Sequence, residues 1–320
     1  MGFLSDNFIA DFFALALKWV DSIVQSYPLA IIILTIALRV LILPLDLRQK
    51  RSSRQMALIQ PKVESLKKRY GNNPQMLQKK QQELYKKEGV KPLAGCLPML
   101  ITLPIFFAFF GAMRTLATEQ QVSFMLNAQY LSGIASHTQD VTALPGWLWV
   151  HNIWQPDSGF ESILPTAEKF VTYLQQNMNS VSPQALHMMA DAKLVSFAGT
   201  SFASGGNYTG LVTDIVGKYN NLGSFSNGWF ILPLLAGATL FLQQKMTMGQ
   251  NPQMAQQQGG SFMLWFFPIF SVYICATSNA AFAIYWLFAN IYAVAQTFVL
   301  NMIYKKRDEK DKQGVIEEAT

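Results

Sequence analysis

The sequence predicts an all-α integral membrane protein with five transmembrane helices. Of its 320 residues, 51% are hydrophobic and only 14% are charged, whereas soluble domains carry about 25% charged residues. Residues 246–304 contain no Asp, Glu, Lys or Arg, a run long enough for two spans of roughly 20 residues each. The sequence has no motif for nucleotide binding, metal-dependent hydrolysis or serine hydrolysis. We therefore expect neither an enzyme nor a bound cofactor or metal.

The first 26 residues predict an amphipathic helix that lies in the outer membrane interface. One face is apolar and the other is mainly polar. The apolar positions are Phe8, Phe12, Leu15 and Trp19, and the opposite positions are Asp11, Ala14, Lys18 and Asp21. An uncleaved signal-like start is the alternative, although the segment has neither a basic leading region nor a small-residue cleavage site.

The five predicted spans are residues 27–47, 92–114, 229–245, 261–278 and 280–304. Between Leu29 and Leu45 the first span contains twelve Leu, Ile and Val residues and one cation, Arg39. Each of these apolar residues favours insertion by ~0.3–0.6 kcal/mol, whereas a central arginine opposes it by ~3 kcal/mol. Insertion of this segment is therefore still favoured. Ser278 and Asn279 form the predicted turn between the last two spans.

The distribution of basic residues predicts the orientation, because Lys and Arg near membrane ends stay in the cytoplasm. Residues 45–92 contain thirteen Lys or Arg and four acidic residues, whereas residues 115–228 contain only three Lys. We therefore expect residues 48–91 to be cytoplasmic and residues 115–228 to be an extracellular insertion. The loop of residues 246–260 and the tail of residues 305–320 are then cytoplasmic, and the N-terminus lies outside.

Residues 48–91 predict a basic helical hairpin. Met56, Ile59 and Val63 begin an apolar stripe on a first helix that ends before Gly71, and a second helix extends to about Glu88. The cations expected to recruit a partner are Arg48, Lys50, Arg51, Arg54, Lys67, Lys68, Arg69, Lys79, Lys80, Lys86 and Lys87. A solvated surface that only follows the positive-inside rule is one interpretation. The other is an attachment site for anionic lipids, ribosomal RNA or an acidic protein.

Arg39 is the main candidate for a functional residue inside the membrane. A buried cation in lipid is unfavourable unless it meets water or a carboxylate. Its side chain could extend towards Asp46 on the same helix, or it could line a water-filled cavity open to the cytoplasm together with Thr35. The polar residues of other spans that could line such a cavity are Thr102, Gln243, Gln244, Tyr285, Asn290, Gln296 and Asn301. Each of these could instead form an ordinary interhelical hydrogen bond.

Two sequence blocks resemble the membrane core of the YidC and Oxa insertase family. The first, residues 35–110, contains Ile59-Gln60-Pro61-Lys62, Leu84-Tyr85-Lys86 and the P-L-x-G-C-x-P-x-L element that starts at Pro92. The second, AIYWLFANIYAVAQT from Ala283, is similar to the final span of that family. The absence of a large soluble domain before the first span resembles the short form found in Gram-positive-type bacteria.

The resemblance implies a membrane protein insertase and chaperone in the bacterial plasma membrane, working without nucleotide hydrolysis. It implies a hydrophilic groove whose single arginine corresponds to Arg39. Substrate contacts would fall on Thr35, Arg39, Leu103, Phe106, Tyr285 and Trp286. The implied partners are nascent membrane proteins, the Sec translocon, the ribosome or signal recognition particle machinery, and anionic lipids.

The sequence departs from this family in three places. Asn279, Ala280 and Ala281 replace the usual P-x-G turn before the last span. The insertion of residues 115–228 is unusually long, and its composition predicts loops at residues 200–210 and 219–227 around amphipathic helices such as residues 161–178. The tail of residues 305–320 has five basic and five acidic residues, which makes ribosome anchoring through it doubtful.

Two other functional classes remain open from the sequence. A small-solute transporter would also have polar groups in mid-membrane, but transporters typically show related halves, which five unequal spans do not. A scaffold that binds ribosomes or lipids through the hairpin alone would not need Arg39.

Overall fold

The computed structural model describes residues 8–90, 97–132, 144–198, 201–220, 226–250 and 260–318. This part of the chain is mainly α-helical, as the sequence predicts. Its helices are α1 (Phe8–Val24), α2 (Tyr27–Leu58), α3 (Gln60–Tyr70), α4 (Pro74–Lys87), α5 (Leu97–Ser132), α6 (Ala167–Gln176), α7 (Pro183–Asp191), α8 (Tyr208–Asn220), α9 (Ile231–Gln250), α10 (Gly260–Thr277) and α11 (Ala280–Glu318). Strands β1 (Val195–Ala198) and β2 (Ser201–Ser204) form an antiparallel hairpin.

The chain divides into two compact units. The first unit comprises Met1–Leu34, Pro104–Leu235 and Val272–Trp286, and the second comprises Thr35–Leu103, Ala236–Ser271 and Leu287–Thr320. Several long helices therefore contribute residues to both units.

Two helices in the described part of the chain are long and apolar enough to cross a membrane. They are Tyr27–Leu58 and Ala280–Lys305, and Phe262–Thr277 is a shorter apolar helix. Length and composition thus support the first and last predicted spans directly, while the full number of spans stays a prediction.

α1 has two apolar faces. Its buried residues are Ala10, Phe13, Ala14 and Leu17, while Phe8, Phe12, Leu15, Trp19 and Ile23 are exposed. Phe13 packs against Phe109 of α5, with ring centroids 5.4 Å apart, and Lys18 pairs with Glu119. Ala14 lies on the face opposite the exposed stripe, as the sequence predicts, and this face is partly covered by α5. The exposed stripe is the one that the sequence assigns to the membrane interface.

α2 and α5 both continue past the ends predicted for the spans. α2 extends as one 32-residue helix to Leu58, with Pro44 inside it, and α3 begins at Gln60 with Pro61 in its first turn. The first hairpin helix predicted from residue 49 is therefore divided at Ile59. α5 has 36 residues, roughly 54 Å at 1.5 Å per residue, so its last 18 residues belong to the predicted insertion.

The insertion, residues 115–228, has a hydrophobic core of its own. Buried residues of α5, α6, α7, α8 and the β-hairpin form this core, among them Met125, Phe170 and Tyr208. Phe170 and Tyr208 stack with ring centroids 5.0 Å apart, and the Tyr208 hydroxyl donates a hydrogen bond to the Pro165 carbonyl at 2.9 Å. The loop predicted at residues 200–210 is instead β2 and the start of α8, and residues 199–200 and 221–225 lie outside the described residues.

Candidate functional site

The side chains of Thr35 and Arg39 lie one turn apart on α2. Thr35 is only 1% exposed, and Arg39 is half-buried. Asp46, two turns further along the same helix, lies within electrostatic range of Arg39. The sequence leaves two arrangements open for Arg39, extension towards Asp46 or a position in a water-filled cavity. The structure places Asp46 near Arg39, as the first arrangement requires. Such a neighbour lowers the cost of holding the guanidinium away from bulk water.

The C-terminal half of α2, which the sequence predicts to be cytoplasmic, lies along α11 in the second unit. Gln296 lies near the Asp46 carboxylate, although its buried Nε2 has no hydrogen-bond partner among the described residues. Lys50 Nζ donates a hydrogen bond to Thr297 Oγ1 at 3.0 Å. Four residues further on, the Arg54 guanidinium lies 4.5 Å from the centre of the Tyr304 ring. The paired residue numbers increase together on the two helices, so α2 and α11 are parallel. Lys50 and Arg54, both expected to recruit a partner, are therefore engaged with α11.

α9 and α10 contribute further polar groups to the second unit. Asn290 of α11 is buried and donates a hydrogen bond from Nδ2 to the Ala236 carbonyl of α9 at 3.2 Å. For Asn290 the structural interpretation, an interhelical hydrogen bond, is therefore the one observed. Gln243 is half-buried. Gln244 Oε1 and Ser271 Oγ are buried and have no hydrogen-bond partner among the described residues.

Unpartnered buried polar atoms such as these point to water or a polar ligand. Ser271 carries no signal in the sequence that would separate it from other span serines. Gln244 is next to Gln243, and the sequence offers both as residues that could line the cavity around Arg39.

An aromatic cluster in the first unit contains three of the predicted substrate contacts. Phe106 of α5 lies 4.9 Å from Trp286 and 5.6 Å from Phe282, measured between ring centroids. Tyr285 stacks on Phe109 at 4.2 Å. The Trp286 indole Nε1 is buried without a hydrogen-bond partner in the described residues. Leu103, the remaining predicted contact on α5, belongs to the second unit and is exposed.

The hairpin of α3 and α4 is held by a small apolar core and one ion pair. Met56, Ile59, Val63 and Val90 are buried there, and Lys62 Nζ lies 2.7 Å from Glu88 Oε1. Asn73 caps α4 by accepting a hydrogen bond from the Met76 amide at 3.1 Å. Most of the predicted recruitment cations are exposed or half-buried on this frame. Lys80 is paired with Glu83 at 2.7 Å.

The N-terminal ends of α2, α9 and α11 all contact one segment of the insertion, residues 153–157. The ring of Tyr27, at the start of α2, packs edge-to-face on Trp154 with centroids 5.1 Å apart. The carbonyls of Gln155 and Ile153 accept hydrogen bonds from the Ala280 and Ala281 amides at 2.9 and 2.8 Å. These amides belong to the first turn of α11, which needs external acceptors.

Asp157 caps α9 from the same segment. Its carboxylate is fully buried and accepts hydrogen bonds from the amides of Trp229, Phe230 and Leu232 at 2.8, 3.0 and 2.6 Å. The Trp149 indole donates a fourth at 3.1 Å. A Cβ at Gly228 would lie 2.0 Å from Asp157 Oδ1, so only glycine allows this approach. No sequence signal marks Asp157 as a cap, since the three amides that it caps lie more than 70 residues away.

Comparison with known proteins matches most of the chain to one family. Residues 19–207 and 207–308 match the model of the family described as 60Kd inner membrane protein. The chain is 35% identical to membrane protein insertase YidC of Fusobacterium nucleatum over 179 residues, which cover 56% of this chain and 75% of that protein. It is 29% identical to membrane protein insertase MisCA of Bacillus subtilis over 300 residues, 91% of this chain and 76% of that protein.

A third relative, membrane protein insertase YidC of Oceanobacillus iheyensis, is 29% identical over 295 residues, covering 88% of this chain and 78% of that protein. The family match extends over most of the chain, including α2, the hairpin, α9 and α11. The chain therefore belongs to the 60Kd inner membrane protein family, the family of the YidC and Oxa membrane protein insertases.

Proposed function

We propose that this protein inserts nascent membrane proteins into the bacterial plasma membrane through a hydrophilic groove that opens to the cytoplasm. The groove is the space into which Arg39 and the unpaired polar groups of the second unit project. It acts by lowering the barrier for polar segments rather than by catalysing a reaction. The relatives reported above carry the name membrane protein insertase, and the chain shares their family.

The observation that carries the proposal is the half-buried Arg39 in the otherwise uncharged part of α2 that precedes Asp46. A cation at this depth is retained only where water, a carboxylate or a functional role compensates for its desolvation. Asp46 supplies part of that compensation. The guanidinium can still attract an acidic flank of a substrate, because it presents five donors.

Buried polar atoms on two other helices support a hydrated interior. Gln244 Oε1 of α9 and Ser271 Oγ of α10 have no partner among the described residues. In a dry apolar bundle each would cost about 1–3 kcal/mol. Water or the polar part of a substrate removes that cost. The same groups would then exchange readily between water and a passing segment.

The aromatic cluster offers the apolar part of the path. Phe106 and Trp286 are in edge-to-face contact, and both are only half-buried. We expect the apolar helix of a substrate to slide along Phe106, Tyr285 and Trp286 as it leaves for lipid, with Leu103 providing exposed apolar surface on α5. Burial of such surface is favourable by about 25 cal/mol per Å².

The five-span topology, with the N-terminus outside and the C-terminus in the cytoplasm, is part of the proposal. Two structural relations support it. The starts of α2, α9 and α11 contact the same segment, residues 153–157, and α2 and α11 run parallel. The first, third and fifth of five spans must all cross in the same direction, and the common starting point of these helices is what that arrangement requires.

The hairpin is proposed to receive partners at the cytoplasmic side. Its exposed cations match the phosphate groups of lipids or ribosomal RNA, and also acidic protein surfaces. The Sec translocon and the ribosome or signal recognition particle machinery belong to this proposal as partners.

Exchanging Arg39 tests the proposal directly. We expect Arg39→Ala to reduce insertion of a short single-span substrate with an acidic extracellular flank into proteoliposomes by at least about tenfold, the equivalent of ~1.4 kcal/mol. Arg39→Lys should retain part of the activity, because the charge survives while the planar donor fork is lost. The measurement is protease protection of the substrate.

The control is a substrate whose flank is neutral, for which Arg39→Ala should have a smaller effect. Unchanged insertion of the acidic substrate by the Ala variant would contradict the proposal. Folding of the variants is checked by their thermal unfolding in detergent.

A further inference from the structure

Three large apolar side chains of the first unit are exposed close to the start of α9. Leu148 is 72% exposed, Trp229 is 69% exposed and Phe160 is fully exposed. We call these three residues the aromatic patch, after Phe160 and Trp229. Soluble surfaces seldom leave such groups clustered in water, and a cluster of this kind marks an interaction site. None of the three belongs to the groove proposed above.

Asp157 holds the segments of the aromatic patch together. Its carboxylate accepts hydrogen bonds from the Trp149 indole, next to Leu148, and from the Trp229 amide. Phe160 lies three residues after Asp157, and the Phe160 amide donates to Ser158 Oγ at 3.2 Å. The Gly228 amide donates to the Ser158 carbonyl at 3.2 Å. The patch is thus built on a fixed frame of hydrogen bonds and is not a set of loose loop tips.

The backbone presents Leu148 outward at an energetic cost. A tight turn joins Trp147 to Val150 through two reciprocal amide–carbonyl hydrogen bonds of 2.8 and 2.9 Å. Leu148 occupies this turn with φ +55°, in the left-handed region that glycine adopts easily and leucine rarely does. A strained residue persists where the surroundings fix it, and such sites cluster at functional surfaces. The exposed leucine gains nothing from packing within the protein that would explain the strain.

The aromatic patch continues into the surface of α9. Trp229 precedes the first residue of α9 by two positions, and Leu234 and Leu235 in the next turn are also exposed. If α9 is a transmembrane span, these leucines face lipid. Trp229 then lies at the depth of the headgroups, where tryptophan is enriched in membrane proteins.

We propose that the aromatic patch is a membrane anchor that dips into the outer leaflet beside α9 and holds the insertion of residues 115–228 against the bilayer surface. The partner is the boundary between headgroups and acyl chains, and Leu148 and Phe160 are the inserted side chains. This inference rests on the proposed function in one respect, because it requires α9 to cross the membrane. The insertion would then be held at the lipid surface, next to the outer ends of the spans.

Fluorescence quenching by lipids tests the anchor. Single cysteines replace Leu148, Phe160, Leu234 or Glu168 in a background with Cys96→Ala and Cys275→Ala. Each variant is labelled with an environment-sensitive nitrobenzoxadiazole fluorophore and reconstituted into phosphatidylglycerol and phosphatidylethanolamine vesicles. Lipids with a doxyl group near the headgroup or deep in the acyl chain serve as quenchers. Glu168 is exposed on α6 and is the matched control within the insertion.

We expect the fluorophores at positions 148 and 160 to be quenched by the shallow doxyl group, with a blue-shifted emission. The one at position 168 should be unaffected by either quencher. Position 234 reports on the α9 span, and its fluorophore should be quenched whether or not the aromatic patch enters the leaflet. If position 234 is quenched while positions 148 and 160 behave like position 168, the anchor is refuted and the span stands. If position 234 is not quenched either, the proposed span itself fails.

A second variant separates lipid contact from folding. Leu148→Ser combined with Phe160→Ser should keep the thermal unfolding temperature of the parent in detergent, since both side chains are exposed. In vesicles it should remove most of the quenching of a fluorophore attached at Trp229→Cys. Undiminished quenching at that position would mean that Leu148 and Phe160 do not hold the patch in the leaflet, and the proposal would be wrong.

Discussion

Asp157 links residue chemistry to the position of a whole helix, because one carboxylate accepts three backbone amides at the start of α9 and one indole N–H. We expect Asp157→Asn to lower the free energy of unfolding by roughly 2–4 kcal/mol. The carboxamide keeps one acceptor oxygen but directs an NH₂ group at the remaining donors. The measurement is the thermal unfolding of the full chain in detergent.

Asp214→Asn is the matched control for that experiment. Asp214 is an exposed residue of α8, and surface substitutions of this kind usually change stability by less than about 0.5 kcal/mol. Equal effects of the two substitutions would show that Asp157 does not act as a cap.

Tyr208 should make the insertion sensitive to alkaline pH. Burial raises the pKa of the Tyr208 phenol above its ordinary value of 10.0. Above pH 10 the unfolded chain therefore releases this proton while the folded chain keeps it, and stability falls by up to about 1.4 kcal/mol per pH unit. Below pH 10 both states hold the proton, so this contribution is constant there.

Tyr208→Phe isolates the effect. It removes the titrating group together with the hydrogen bond to Pro165, so we expect a loss of about 1 kcal/mol at pH 8. Its stability should then decline less steeply than that of the parent between pH 10 and pH 12. Parallel unfolding curves over that range would contradict the assignment. Tyr173, whose pKa is also raised by burial, contributes to the slope that remains.

Among single residues, those with a local signal were predictable and those with distant partners were not. Arg39 stands out because it is the one cation among apolar neighbours in its span. Asn290 is visible as a polar residue, yet its partner, the Ala236 carbonyl, is a backbone group that any residue would offer. The cap formed by Asp157 depends on contacts more than 70 positions away, which no periodicity of the sequence encodes.

At the scale of elements, α4 presents the cations best placed to bind a partner. Lys79, Lys86 and Lys87 are exposed on it, whereas Lys50 of α2 is bonded to Thr297. We expect the triple variant Lys79→Gln, Lys86→Gln, Lys87→Gln to slow insertion into anionic vesicles several-fold and to make the rate less dependent on salt. Each cation near an anionic surface contributes about 1 kcal/mol of attraction, and this attraction is screened by ions.

Lys50→Gln controls for the mere loss of charge. It should affect the packing of α2 against α11, seen as a lower unfolding temperature, without making insertion less sensitive to salt. A triple variant with unchanged rate and salt dependence would support the interpretation of the hairpin as a solvated face.

Helix ends were predictable where the chain contains breakers. Gly71 to Pro74 separate α3 from α4, and Asn73 caps α4. Residues 49–58 and 115–132 contain neither glycine nor proline, so nothing stops α2 or α5 at the membrane boundary and both helices continue. The β-hairpin was missed for the opposite reason, because its Ser- and Gly-rich composition is equally typical of loops.

At the scale of the whole molecule, the three helices α2, α9 and α11 begin at one segment of the insertion, residues 153–157. The first amides of α9 and α11 donate hydrogen bonds to that segment, and Tyr27 of α2 packs against its Trp154 ring. Helices that begin at one place and cross a membrane must run in the same direction. We therefore expect the insertion and the hairpin of α3 and α4 to lie on opposite sides of the bilayer, as the basic residues of the hairpin also predict.

Labelling of single cysteines with a membrane-impermeant maleimide tests this topology. In a background with Cys96→Ala and Cys275→Ala, Glu168→Cys reports on the insertion and Gln75→Cys on the hairpin, since both positions are exposed. We expect position 168 to be labelled in intact cells and position 75 only after the membrane is permeabilised. Labelling of position 75 but not of position 168 from outside would show that the orientation is the opposite of the one proposed. Labelling of both positions from outside would mean that α5 does not cross, because α5 alone connects the hairpin to the insertion.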